Sequence, residues 1–116
     1  MTNEKVFAMK LSQIYPLLIA KAERKGRTRE EVDTVTCWLT GYDADGLAAQ
    51  RARDVDYGTF FREAPQIHPN AALITSKICG VRIEEIDDPL MQNIRRLDKL
   101  VDELAKGRPL EKILRR

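Results

Sequence analysis

The amino-acid sequence predicts an all-α protein, a compact bundle of about five to seven helices forming a single domain over residues 1–116. Three observations lead there. Apolar residues recur at steps of three and four along most of the chain, the period of one helix face. The breaks between periodic stretches fall at lone glycines and prolines, among them Gly26, Gly41, Pro65 and Gly107. Charged residues make up 33% of the chain and aromatic ones only 6%, which suits well-populated helical surfaces, and an apolar content of 43% supplies one modest core.

A first helix is expected over about residues 11–25, with Ile14, Leu17, Leu18 and Ala22 inward and Pro16 tolerated as part of the opening turn. Gly26 ends it. Thr28 and Glu31 have the spacing of a capping box, in which each side chain satisfies the other's backbone amide, so a second helix starts there. Val32, Val35 and Leu39 form its inward stripe, widened by Cys37 and Trp38, and Gly41 closes it. Asp43 caps a short helix running through Leu47 and Ala48 to about Ala52. Asp54 or Asp56 caps another that carries Phe60, Phe61 and Ala64 and stops at Pro65. The following "QIHPN" is turn chemistry, with His68 at the surface.

Residues 71–86 admit two readings. "LITSKICGVRI" is rich in β-branched residues, and Cys79 and Gly80 suit a hairpin tip, giving an α+β alternative with a small hairpin near 72–86. Against this, an offset of 39 lays Val32, Val35 and Leu39 on Ala71, Ile74 and Ile78, and Gly41 on Gly80. That echo suggests a duplicated helical hairpin, and the helical reading is preferred. Asp88 then caps a long helix with Pro89 in its first position, where a missing amide costs nothing. Leu90, Ile94, Leu97, Val101 and Leu104 make a heptad-like seam along it, flanked by Met91 and Leu100. Gly107 stops this helix, and Pro109 opens a last one with Leu110, Ile113 and Leu114 inward.

The net charge of +2 hides segregation along the chain. Residues 21–29 hold five bases against one acid, residues 106–116 again five against one, and residues 82–103 four against seven. A nucleic-acid face needs such bases on one side, so Lys21, Arg24, Lys25, Arg27 and Arg29 become candidates if folding brings them to the C-terminal bases. The helix-turn-helix outline of residues 20–39 is weakened by Glu30, Glu31 and Asp33, which would put acids where a reading helix needs donors. The apolar run at "IYPLLIA" is too short and too interrupted for a signal peptide and reads as a core helix. No run approaches the roughly 18 apolar residues of a membrane span, so no membrane and a cytoplasmic setting are expected.

Bond chemistry finds little foothold. Cys37 and Cys79 are two lone thiols, expected buried and reduced, and one histidine cannot complete a structural zinc site. A nucleophile would need a base within hydrogen-bond reach, and His68 has no partner in sight. The acidic doublets Glu30-Glu31, Glu84-Glu85 and Asp87-Asp88 splay about 100° apart on a helix and suit helix N-termini better than an acid/base pair. A magnesium site from Glu84, Asp87 and Asp88 is a minor alternative. No phosphate-cradling glycine loop occurs. Trp38 and Tyr42, one helical turn apart, are read as core rather than as a stacking platform.

"AERKGRTREEVDTVTCWLTGY", "TFFREAP" and "CGVRIEEIDDPLMQNIRRLDKLVDELAKGRPLEKILR" together resemble a bacterial family of short proteins, domain of unknown function 2200. The resemblance spans nearly the whole chain. It implies a stand-alone bacterial protein of this length and carries over no activity, ligand or catalytic residue. The family's turn resembles "NPN" where this chain has His68, Pro69 and Asn70, which argues further against a role for His68. The sequence thus predicts a helical interaction module with no cofactor, no metal and no catalytic residues. It is expected to self-associate through Met91, Ile94, Leu97, Val101 and Leu104, with non-specific nucleic-acid binding as the alternative and an enzyme least favoured.

Overall fold

The computed structural model describes residues 3–78 and 80–115. Its helices are α1 (Asn3–Ala8), α2 (Leu11–Glu23), α3 (Arg29–Thr40), α4 (Ala44–Arg53), α5 (Tyr57–Arg62), α6 (Pro89–Ala105) and α7 (Leu110–Ile113). Between α5 and α6 come a 3-10 turn at Pro69–Leu73, an antiparallel hairpin of β1 (Lys77–Ile78) and β2 (Val81–Arg82), and a second 3-10 turn at Ile83–Glu85. The mainly helical class predicted from periodicity is the class observed.

Local chemistry sets the helix starts. Thr28 Oγ1 accepts from the Glu31 amide at 3.2 Å while Glu31 Oε1 accepts from the Thr28 amide at 3.0 Å, completing the capping box. Asp43 accepts from the Gly46 amide at 2.6 Å, Asp56 from Thr59 at 2.8 Å, and Asp88 from Leu90 at 2.9 Å. Asp54 has a different task. It closes α4 in a left-handed conformation, φ 49°, and its carboxylate accepts from the Ser12 amide and hydroxyl at 2.9 and 3.0 Å, capping α2 from 42 residues away. Around this contact the Leu11 amide donates to Val55 at 2.9 Å and the Tyr57 amide to Met9 at 2.8 Å. Residues 9–12 are thereby strapped to residues 54–57.

The helix α6 is the axis of the bundle, with α2, α3, α5 and α7 packed around it. Met91, Ile94, Leu97, Leu100, Val101 and Leu104 are all buried, an arc too wide for a coiled-coil stripe and suited to neighbours on several sides. Each such side chain contributes about 1.5–3 kcal/mol by leaving water. Beside this axis α5 brings an aromatic cluster, in which Phe60 stacks on Tyr42 at 4.9 Å and meets Phe61 edge-on at 5.3 Å. The Tyr42 hydroxyl donates to the Phe60 carbonyl at 2.7 Å, so its polar end is satisfied inside the core.

Four expectations are corrected. In α2 the inward positions are Leu11, Ile14, Tyr15, Leu18 and Ala22, and Leu17 is 63% exposed because it falls about 100° off that stripe. Pro16 lies in the second turn of α2, not the first; the carbonyl it leaves without a donor is that of Ser12, at the exposed start of the helix. Residues 71–86 are not a helix. Ala71, Ile74 and Ile78 are buried as their spacing suggests, yet the backbone between them is a 3-10 turn and an extended segment, broken by positive φ at Ser76 and Gly80. The α+β alternative had the local structure right, although its tip residue Cys79 lies outside the described residues.

The duplication falls with that helix. Gly41 and Gly80 share positive φ, 83° and 80°, but Gly41 ends a helix and Gly80 sits in a hairpin turn. Gly41 has a second reason to be glycine, since a Cβ there would stand 2.7 Å from the Gln66 carbonyl oxygen.

Candidate functional site

Two surfaces stand out, an amphiphilic groove and a basic face. The groove forms where α4 follows α3 after only residues 41–43 and the two helices line a common space. On α4 the wall facing α3 is Ala44, Leu47, Ala48 and Arg51, a helical stripe whose two alanines leave space. Cys37 and Trp38 of α3 form the opposite wall, Leu114 closes one side, and the open groove between them has a volume of about 570 Å³. That volume is within the range of small-ligand sites.

One end of the groove is charged. Asp33 accepts a 2.6 Å hydrogen bond from the Tyr15 hydroxyl, which also reaches Thr36 Oγ1 at 3.3 Å. Burial, reinforced by the bond to Asp33, pushes the Tyr15 phenol far up, so it stays a donor. The Arg51 guanidinium lies 4.8 Å over the Tyr15 ring, a cation–π contact, and Arg29 Nε stands 4.0 Å from Asp33. Burial first, then Asp33 and Asp43, raises the Cys37 thiol, so it is no activated nucleophile. Cys37 is half-buried rather than fully buried, as is Trp38, whose ring stacks on His68 at 4.1 Å. His68 is therefore more than a surface turn residue: it packs on Trp38, and its Nδ1 accepts from the Asn70 amide at 3.0 Å. Tyr42 belongs to the core, so the expected Trp38–Tyr42 pair is split between surface and interior.

The basic face arises where α2 and α6 end side by side. Lys21 Nζ and Lys106 Nζ both pair with Asp102, at 3.3 and 3.0 Å, and Arg24 and Lys25 are exposed nearby. Folding does bring the two basic segments together. Arg27 and Arg29 do not join them as free bases. Arg27 donates to Glu31 at 2.6 Å, and its Nη1 donates to the carbonyls of Leu104 and Arg108 at 3.2 and 2.7 Å, capping the end of α6. Those bonds from Arg27, with the Thr28 amide second, hold the Glu31 carboxyl down at about 2. Arg29 belongs to the groove.

The sequence pattern of the family described as "Uncharacterized protein conserved in bacteria (DUF2200)" matches residues 5–115. The chain belongs to that family. A crystal structure of uncharacterized protein SP1917 is 57% identical in sequence, with a TM-score of 0.93 over 97% of this chain and 93% of that one. No curated protein matches.

In this DUF2200 protein the α6 seam is interior. Met91, Ile94, Leu97, Val101 and Leu104 are each at most 7% exposed, packed within the chain's own core. The Glu84 carboxylate accepts from the Ser76 amide at 3.2 Å and Asp88 caps α6, so both acids have structural work. Among the described residues no three of His, Cys, Asp and Glu gather as a metal would require, and no helix is long and apolar enough to cross a membrane. Sequence reasoning missed Arg51 and the groove. The available signal was the stripe Ala44, Leu47, Ala48 and Arg51, small and apolar residues ending in a base on one face of a short helix.

Proposed function

We propose that this protein acts by binding, as a small helical interaction module, and that the α3–α4 groove is its binding face. The observation that carries this reading is a half-buried Trp38 and Cys37 facing Leu47 and the small Ala44 and Ala48 across about 570 Å³ of open space. Tryptophan and arginine around an apolar floor are the residue types that dominate binding energy at interfaces. Self-association, expected from the α6 seam, needs another surface, because a leucine such as Leu97 at 0% exposure cannot meet a second copy without unfolding the first.

A second reading places nucleic-acid backbone on Lys21, Arg24, Lys25, Lys106 and Arg108, supported by the convergence of the two basic segments. Two features oppose it. Asp102 sits among the lysines, and the face covers two helix C-termini, whose partial negative charge the bases already offset.

Amide chemical-shift mapping separates the readings. One arm adds a panel of small aromatic and aliphatic fragments of negative, zero and positive charge; another adds a short DNA duplex at about 50 mM salt, where phosphate contacts are strong. Shifts confined to residues 29–51 with the fragments are expected. No fragment response there sinks the groove reading, and a duplex response centred on 21–25 and 106–108 transfers the function to the basic face. Diffusion rates from the same samples report the oligomeric state.

A further inference from the structure

We infer that the groove takes an amphiphile with a carboxylate head and an apolar tail, the head between Arg29 and Arg51 and the tail along Trp38. This rests on the groove being the binding face, and it adds the chemistry of the occupant.

Polarity is ordered along the groove. Arg51 lies over the Tyr15 ring, the Tyr15 hydroxyl bonds Asp33, and Asp33 neighbours Arg29, so the two arginines share one end, while Trp38, Cys37, Ala44 and Leu47 lie toward the connection at 41–43. The arginine end carries two guanidiniums against Asp33, and the charge near the other end is Asp43, the cap of α4, so the groove favours a ligand with its negative head at the arginines and an uncharged tail running away from them. Arg51 has no carboxylate partner among the described residues; its contact is the Tyr15 ring at 4.8 Å, which leaves the guanidinium edge, with its donors, for a ligand. Asp33, which accepts from the Tyr15 hydroxyl at 2.6 Å and stands 4.0 Å from Arg29 Nε, offsets one of the two arginines and leaves that end with an excess of positive charge centred on Arg51. A cationic head would meet that excess. A wholly apolar ligand would remove water from Arg51 and return nothing to it. From Arg29 to Trp38 the helix rises about 13 Å, the extended length of a chain of about ten carbons.

Trp38 is the single tryptophan of the chain, so intrinsic fluorescence reports on the groove directly. The probes are decanoate, decanol and decyltrimethylammonium, each kept below its micelle concentration. Decanoate is expected to give a saturable change, with binding roughly tenfold or more tighter than that of the ammonium probe. Arg51→Gln and, separately, Arg29→Gln are expected to weaken decanoate by about tenfold while circular dichroism stays unchanged, and Asp33→Asn to tighten it. Equal affinity for decanoate and the ammonium probe, or no loss in either arginine variant, overturns the carboxylate assignment while leaving the groove as a binding face. No saturable response to any probe overturns the occupant altogether, and the fragment mapping then judges the groove by itself.

Discussion

Glu31 is the pivot of the joint between α3 and the end of α6, and Glu31→Gln tests the charge on that pivot while keeping its shape. The carboxylate accepts from Arg27 Nε at 3.1 and 3.2 Å, from Nη2 at 2.6 Å and from the Thr28 amide at 3.0 Å. These bonds, those from Arg27 above all, lower its pKa from 4.5 to about 2. At about 1.4 kcal/mol per tenfold change in proton affinity, the lowering corresponds to roughly 3 kcal/mol as an upper bound. Solvent reaches 25% of the Glu31 side chain and screens the pair, bringing the expected loss at neutral pH to about 1–2 kcal/mol. For a domain of this size that is a fall in Tm of about 4–10 °C. The sign follows from linkage. A carboxyl whose folded pKa is depressed stabilises above its unfolded value, so the gap between wild type and Glu31→Gln should be full above about pH 4.5, shrink as pH falls, and close below about pH 2. Thermal melts at about pH 7, 4, 3 and 2 measure it. A gap that stays constant across that range would mean that shape rather than charge holds the joint, and the reasoning would fail.

Three further outcomes are expected. Leu97→Ala should cost about 2–5 kcal/mol in urea unfolding, since it opens a cavity at a residue with 0% exposure. Gly41→Ala should cost more than Gly26→Ala: both need positive φ, worth about 1 kcal/mol, but only at position 41 does the new Cβ strike backbone, 2.7 Å from Gln66 O. Equal losses at the two sites would show that the approach to Gln66 relaxes freely. Asp56→Ala should lower stability by about 1 kcal/mol through loss of the α5 cap, seen as a shifted urea midpoint at constant slope.

The parts of the fold that were legible are those decided within a few residues. Thr28 with Glu31, Asp43, and Asp88 with Pro89 announce helix starts because each satisfies an amide two or three positions away. The arc of α6 was legible too, because a helix buried on several sides imposes its period on many residues at once. What stayed hidden depends on distant partners. Ala71, Ile74 and Ile78 carry a helix-like spacing, but burial in the core selects which residues are apolar without saying how the backbone runs between them. Arg27 counts as a free base until Leu104 and Arg108, 77 and 81 residues on, are seen to take its donors. The groove escaped notice for a similar reason: it is made partly of what Ala44 and Ala48 lack, and a gap has no letter in a sequence.

The strap that ties residues 9–12 to residues 54–57 bears on how the chain assembles during synthesis. Leu11 and Met9 emerge from the ribosome well before Val55 and Tyr57 exist, so α2 can form early but its entry cannot be fastened until some 45 residues later. Hydrogen exchange at the Leu11 and Tyr57 amides should consequently rise and fall together, as one clasp that opens and shuts as a unit. Trimming the chain past Met9 would then loosen not only its beginning but the aromatic segment in its middle.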